Sequence, residues 1–118
     1  MGKIVIKGYL HEKDRHLMDE MARISSKGDG LPFDVYVYSA DHSPPHAHIV
    51  RKGGSDKEMF LLTDVSPSSP EDIVSYRSEI TLLDKKEIAK WAGKTHKKAP
   101  ELTNWKVALI LWKLYHSK

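Results

Sequence analysis

Apolar residues recur along the chain with two different periods, and the change of period separates strands from helices. Residues 3–10 alternate weakly and are rich in isoleucine and valine, which predicts a first strand. Residues 14–24 then place Leu17, Met18, Met21 and Ile24 at helical spacing, with Asp14 positioned to cap a short helix. The segment 25–30 carries Gly28 and Gly30 among serines and reads as a turn with positive φ available to it. Phe33–Tyr38 alternates most cleanly, with Phe33, Val35 and Val37 on one side and Asp34, Tyr36 and Tyr38 on the other. Pro44-Pro45 forces a stiff turn, residues 46–50 resume as a strand, and Gly53-Gly54 ends it, so the pair reads as a hairpin-like connection. Residues 59–63 predict a further strand, and residues 76–82 another with Tyr76, Ser78, Ile80 and Leu82 on one side. Between them, residues 66–72 hold Pro67 and Pro70 among serines and predict a mobile loop.

The period then becomes helical. Asp84 with Glu87 three residues on approximates a capping box, and Ile88, Trp91 and Ala92 form the stripe of a helix that Ala99-Pro100 interrupts. A last helix over residues 103–115 has Trp105, Leu109 and Trp112 on one face, with Asn104 placed to cap it. Val107, Ile110 and Leu114 widen its stripe almost all round, which predicts either deep burial or a homodimer contact through this C-terminal helix. Trp91, Trp105 and Trp112 read as core or interface residues. The fold class expected is α+β: a small, mainly antiparallel sheet of about four strands packed by C-terminal helices.

Composition narrows the class without naming a function. At 118 residues, 40% apolar and 30% charged, the chain has the size and make-up of one globular domain. The longest apolar run, residues 107–112, is far short of a membrane span, and the N-terminal apolar stretch is too short for a secretory signal. The absence of cysteine excludes disulfides, a thiolate nucleophile and Cys-ligated metal, and cytoplasm is the expected compartment. Charge is uneven: residues 1–84 hold 10 Lys/Arg against 14 Asp/Glu, and residues 85–118 hold 9 Lys against 2 Glu. A basic tail of this kind either meets nucleic acid or an acidic partner, or solvates two helices; lysine without arginine favours solvation.

The densest chemistry lies in Asp41-His42-Ser43-Pro44-Pro45-His46-Ala47-His48. On a strand, His46 and His48 project from the same face, His42 is placed to fold back across the turn, and Asp41 is a fourth ligand, a base, or the group that orients an imidazole. His42, His46 and His48 with an open position would suit zinc or another divalent ion. The architectural alternative is that Asp41 makes a turn bond, His42 is solvated, and His46 and His48 bond main-chain carbonyls.

This string, Asp41-His42-x-Pro44-Pro45-His46-x-His48, resembles the signature of the domain of unknown function 4160 family, usually DHxPPHFH. His96 followed by Glu101-Leu102-x-Asn104-Trp105 is similar to that family's closing helix. Ala47 departs from the family's phenylalanine, and residues 52–76 are longer than the family pattern. The resemblance spans about residues 32 to 112. It implies one domain over 1–118, with about 1–31 an N-terminal extension and about 32–115 the family-like core, and no established activity. It also implies an association with toxin–antitoxin-like gene pairs, hence a protein partner.

Other motifs fail. Gly93-Lys94-Thr95 lacks the first glycine of a P-loop, Val50 stands where a histidine triad needs its third histidine, and no serine sits in a nucleophile elbow. Two function classes remain alongside a purely architectural histidine turn. One is an interaction or regulatory module. The other is a metal-dependent hydrolase or nuclease using Asp41, His42, His46 and His48.

Overall fold

A computed structural model of the chain describes residues 21–26, 28–38, 44–51, 53–54 and 58–116. Its sheet is an antiparallel meander of β1 (Met21–Arg23), β2 (Phe33–Tyr38), β3 (His46–Arg51) and β4 (Glu58–Leu61), in that order. Two helices follow, α1 (Leu82–Ala92) and α2 (Asn104–His116). The α+β class and the antiparallel sheet packed by C-terminal helices are therefore as the sequence predicts, but two of the elements differ.

Residues 21–23 are an edge strand, not the end of a helix, pairing Met21↔Tyr38 to Arg23↔Tyr36. The spacing of Met21 and Ile24 fits a helix, but the open edge of β2 offers a row of hydrogen-bonding groups, and Ile24 N–H donates to the Val35 carbonyl at 2.7 Å. The rest of that predicted helix with its Asp14 cap, and the strand predicted over 3–10, lie outside the described residues. Residues 76–82 are likewise not a strand. Only Ser75 bridges to Phe60, after which the backbone turns at Arg77 and Thr81 starts α1. Thr81, and not Asp84, is the N-cap: its hydroxyl accepts from Asp84 N–H at 3.2 Å. Asp84 instead sits in the first turn, where its carboxylate pairs with the Arg51 guanidinium. Arg51 also grips Glu58 at 3.0 and 3.1 Å, so one side chain ties β3 to β4 and to the start of α1.

The helices cover the sheet face that bears Val35, Val37, Ala47, Ile49 and Phe60, all fully buried. Phe60 stacks on Trp105 with centroids 5.7 Å apart. The three tryptophans are buried as expected. The Trp91 indole donates to Asp29 at 2.9 Å and the Trp105 indole to the Thr63 carbonyl at 2.8 Å, so burial leaves these two donors satisfied. Along α2, Trp105, Val107, Ala108, Leu109, Leu111 and Trp112 are all buried within this chain, so its all-round apolarity is taken up by the core. Among the described residues no helix is long and apolar enough to cross a membrane.

The crossing from α1 to α2 is held by polar groups. The Thr103 hydroxyl caps α2 by accepting from Lys106 N–H at 3.2 Å. Asn104, predicted as that cap, instead donates its amide to the Trp91 carbonyl at the end of α1, at 2.7 Å. The loop closes as His96 N–H donates to Leu102 and Asn104 N–H to Lys94. Residues 66–72, predicted to be mobile, contain the 3-10 turn Pro70–Asp72, where the Asp72 carboxylate accepts from Ser68 and Ser69 N–H.

His96 is completely buried inside the crossing. Its Nε2 donates to the Ile24 carbonyl at 3.0 Å and its Nδ1 accepts from Lys98 N–H at 3.1 Å, an arrangement only the neutral ring can satisfy. Burial holds this imidazole below its ordinary value, against the pull of the Ile24 carbonyl and Asp29. The unfolded chain therefore binds the proton first. Stability is complete above the ordinary imidazole value of about 6.5 and declines as pH falls below it, by at most about 1.4 kcal/mol per pH unit from this residue. Urea denaturation at a series of pH values from neutral to mildly acidic should show this loss, and His96→Gln should be less stable at neutral pH with a flatter profile. An unchanged profile in the variant would assign the pH dependence elsewhere.

Candidate functional site

β3 pairs on both sides, with Tyr36↔His48 and Val35↔Ile49 against β2 and with His48↔Met59 and His46↔Leu61 against β4. Strand alternation then sends Ala47 and Ile49 into the helix-covered core and His46 and His48 to the opposite face. Both imidazoles are nearly buried there, at 4% and 6% exposure. Tyr36 and Tyr38 come to this face from β2 by the same alternation, as the pattern in Phe33–Tyr38 predicts.

The rings form a connected cluster. Tyr38 lies parallel to His48, with centroids 4.3 Å apart and planes within 4°. His48 and His46 are 5.1 Å apart and tilted by 45°. His46 in turn meets Tyr76 at 4.8 Å, tilted by 43°. Tyr76 arrives from the segment that follows β4, because its N–H donates to the Met59 carbonyl at 2.9 Å. The Arg77 guanidinium lies over the outer side of this assembly, 5.1 Å from the Tyr76 ring centroid.

The diproline turn sets the state of His46. Its Nδ1 lies 2.8 Å from the Pro44 carbonyl, so in the neutral ring Nδ1 carries the proton and donates. Nε2 is then the nitrogen with the lone pair. The proline that removes a donor from the backbone thus supplies the acceptor that selects the tautomer.

Of the residues expected to form the site, His46 and His48 are brought together, while Asp41 and His42 lie outside the described residues. Among the described residues no group of three metal-ligating side chains occurs. The sequence reading missed Tyr38, Tyr76 and Arg77 as members of the cluster. Tyr38 carried a signal, since the alternation of β2 already placed it on the polar side of its strand. Tyr76 and Arg77 carried none, because their place depends on a loop docking against β4.

His96 belongs to the crossing and not to this cluster: its ring bonds Ile24 and Lys98.

The His46 geometry makes a spectroscopic prediction. In long-range proton–nitrogen correlation spectra at a pH where His46 is neutral, its Nδ1 should show the shift of a protonated nitrogen and its Nε2 that of a bare one. The reverse assignment would remove the Pro44 bond. Comparison of the chain with family models, with curated proteins and with solved structures finds no match.

Proposed function

We propose that the protein is a small interaction or regulatory module of the domain of unknown function 4160 type, and that the Tyr38–His48–His46–Tyr76 face is its recognition surface. The observation that supports this reading is the division of labour across one strand. The helix-covered face of the sheet satisfies the packing needs of the fold, while the other carries rings with polar tips in ordered contact. Tyrosine and arginine concentrate at the centres of binding surfaces because they combine large contact area with a donor at little entropic cost. The partner proposed is a protein, as the toxin–antitoxin-like association implies. A second copy of the chain fits less well, since Asn104–His116 keeps only Ile110, Leu114 and Tyr115 half-buried at the edge of the core.

The test is co-purification of the chain, carrying a tag free of histidine, expressed together with its neighbouring gene product. A stoichiometric partner should be retained by the wild type and lost by the His46→Gln/His48→Gln variant, with circular dichroism showing the variant folded. A wild type that elutes alone, or a double variant that keeps its partner, would sink the reading.

The set tautomer of His46 favours one second reading, a metal-dependent hydrolase or nuclease. Here Nε2 of His46 with His48 would supply two ligands to an ion such as zinc, with Asp41 and His42 as further candidates. The ion would polarise a phosphoryl oxygen or lower the pKa of a bound water. Tag-free protein should then carry about one equivalent of metal and melt higher with zinc, nickel or manganese, and His46→Gln should abolish both effects. Absence of metal together with an unmoved melt removes this reading.

A further inference from the structure

α1 turns leucines and lysines toward solvent on one side. Asp84, Ile88, Trp91 and Ala92 are its buried residues, so at about 100° per residue Leu82, Lys86, Ala89 and Lys90 fall on the opposite side, with Leu83 at the margin. Leu82 is 60% exposed and Leu83 68%. With Val65 and Val74 they are the large apolar side chains exposed among the described residues. All four fall within residues 65–83, the stretch that leads from β4 into the first turn of α1. Exposed apolar residues scattered singly are ordinary on a protein surface; their confinement to one stretch marks a contact surface.

This side of α1 borders a groove. The 3-10 turn Pro70–Asp72 packs against the helix, and Ser68, Ser69 and Pro70 face Lys86, Ala89 and Lys90 across a cavity of about 280 Å³. Pro70, Ala89 and the lysine stems make its lining mainly apolar. Small-molecule sites occupy about 300–1,000 Å³, so this volume suits one apolar side chain and not a whole ligand. The lysine tips are exposed, and neither makes an ion pair among the described residues, although Glu87 stands three positions before Lys90. Across the groove the Asp72 carboxylate is occupied within its own turn, accepting from Ser68 and Ser69 N–H. Like charges four residues apart on a helix repel, so an arriving anion relieves a repulsion that no described acid relieves.

We propose that this groove docks an acidic peptide segment of a partner protein: one large apolar side chain enters between Pro70 and Ala89, and flanking carboxylates meet Lys86 and Lys90. α1 covers the sheet face opposite the imidazoles and its outward side points away from them, so the inference stands apart from the recognition proposed there. Charge complementarity selects the occupant. A nucleic acid or an anionic membrane presents an extended negative surface that would also be laid against Glu71, Asp72 and Glu87. A peptide places its carboxylates at two points and leaves those acids in water. Leu82 and Leu83 continue the apolar contact beyond the groove at the start of the helix.

The experiment is an NMR titration of the full chain with three blocked pentapeptides: phenylalanine flanked by two glutamates on each side, phenylalanine flanked by lysines, and alanine flanked by glutamates. The glutamate–phenylalanine peptide should give saturable shifts in the millimolar range at the Ser68, Ser69, Lys86, Ala89 and Lys90 amides, and weaken as salt is added. The other two should bind about tenfold more weakly or not at all. Lys86→Glu/Lys90→Glu, at exposed positions, should keep its circular dichroism and exchange the preference, releasing the glutamate–phenylalanine peptide and taking the lysine one. His46→Gln/His48→Gln should bind as the wild type does. No saturable shift with the glutamate–phenylalanine peptide, equal binding of all three, a charge reversal that leaves the preference unmoved, or loss of binding in His46→Gln/His48→Gln would each overturn the proposal. A chain that ignores the peptides but sediments with phosphatidylserine vesicles through Lys86 and Lys90 would put a lipid surface in the peptide's place and equally overturn it.

Discussion

A strand paired on both edges and covered on both faces must commit every side chain, and β3 is such a strand. Its hydrogen bonds to β2 and β4 fix the register, and from that register Ala47 and Ile49 enter the core while His46 and His48 cannot. A slip of one residue would drive two imidazoles among Trp105, Phe60 and the helices and turn two apolar residues outward. The penalty for burying unpaired imidazoles in an apolar core makes that slip prohibitive, so the pairing that stabilises the sheet is also what presents the ring cluster. Pro44 and Pro45 reinforce it by ending the freedom of the chain just before His46, and the Pro44 carbonyl takes the His46 proton donor at once.

The remainder of the fold is arranged to leave that face to the cluster. Arg51 at the far end of β3 binds Glu58 and Asp84, which anchors the start of α1 on the side of the strand end opposite the diproline. The planar fork serves three elements with one side chain, and acidic partners hold its charge firmly in place. At the other end of the helical layer, Asn104 spans from α2 to the last turn of α1, and His96 joins the crossing to Ile24 beside the first strand. These are buried polar groups with their partners supplied, which orient the helices more narrowly than apolar contact would. The helices therefore sit on one face, and on the other the rings pack against one another.

The cluster itself shows how ordinary packing forces become a chemical arrangement. Parallel stacking of Tyr38 on His48 and tilted contact of His46 with Tyr76 keep four rings in fixed orientations. Arg77 adds the charge at the edge, through a backbone that the Met59 bonds hold in place. Three of the members come from the sheet and two from a loop bolted to its edge, so the cluster depends on the docking of residues 74–78 as well as on the strands.

Much of this was legible from residue order. Period-two alternation over Phe33–Tyr38 and the break at Pro44-Pro45 determined two paired strands, the face occupied by each side chain, and the proximity of His46 to His48, because these follow from backbone geometry alone. Helical spacing determined two C-terminal helices and their buried tryptophans. Tertiary structure decided the rest wherever local preference was weak or divided. Residues 21–23 have a helix-compatible spacing, yet the unpaired edge of β2 made them a strand. Residues 76–82 alternate like a strand, yet Thr81 captured Asp84 N–H and began a helix, and Met59 pulled Tyr76 and Ser78 onto the sheet edge. A short segment carries too few local interactions to outweigh one cap or one ladder, so its fate belonged to partners distant in the chain, and with it the placing of Tyr76 and Arg77 beside the imidazoles.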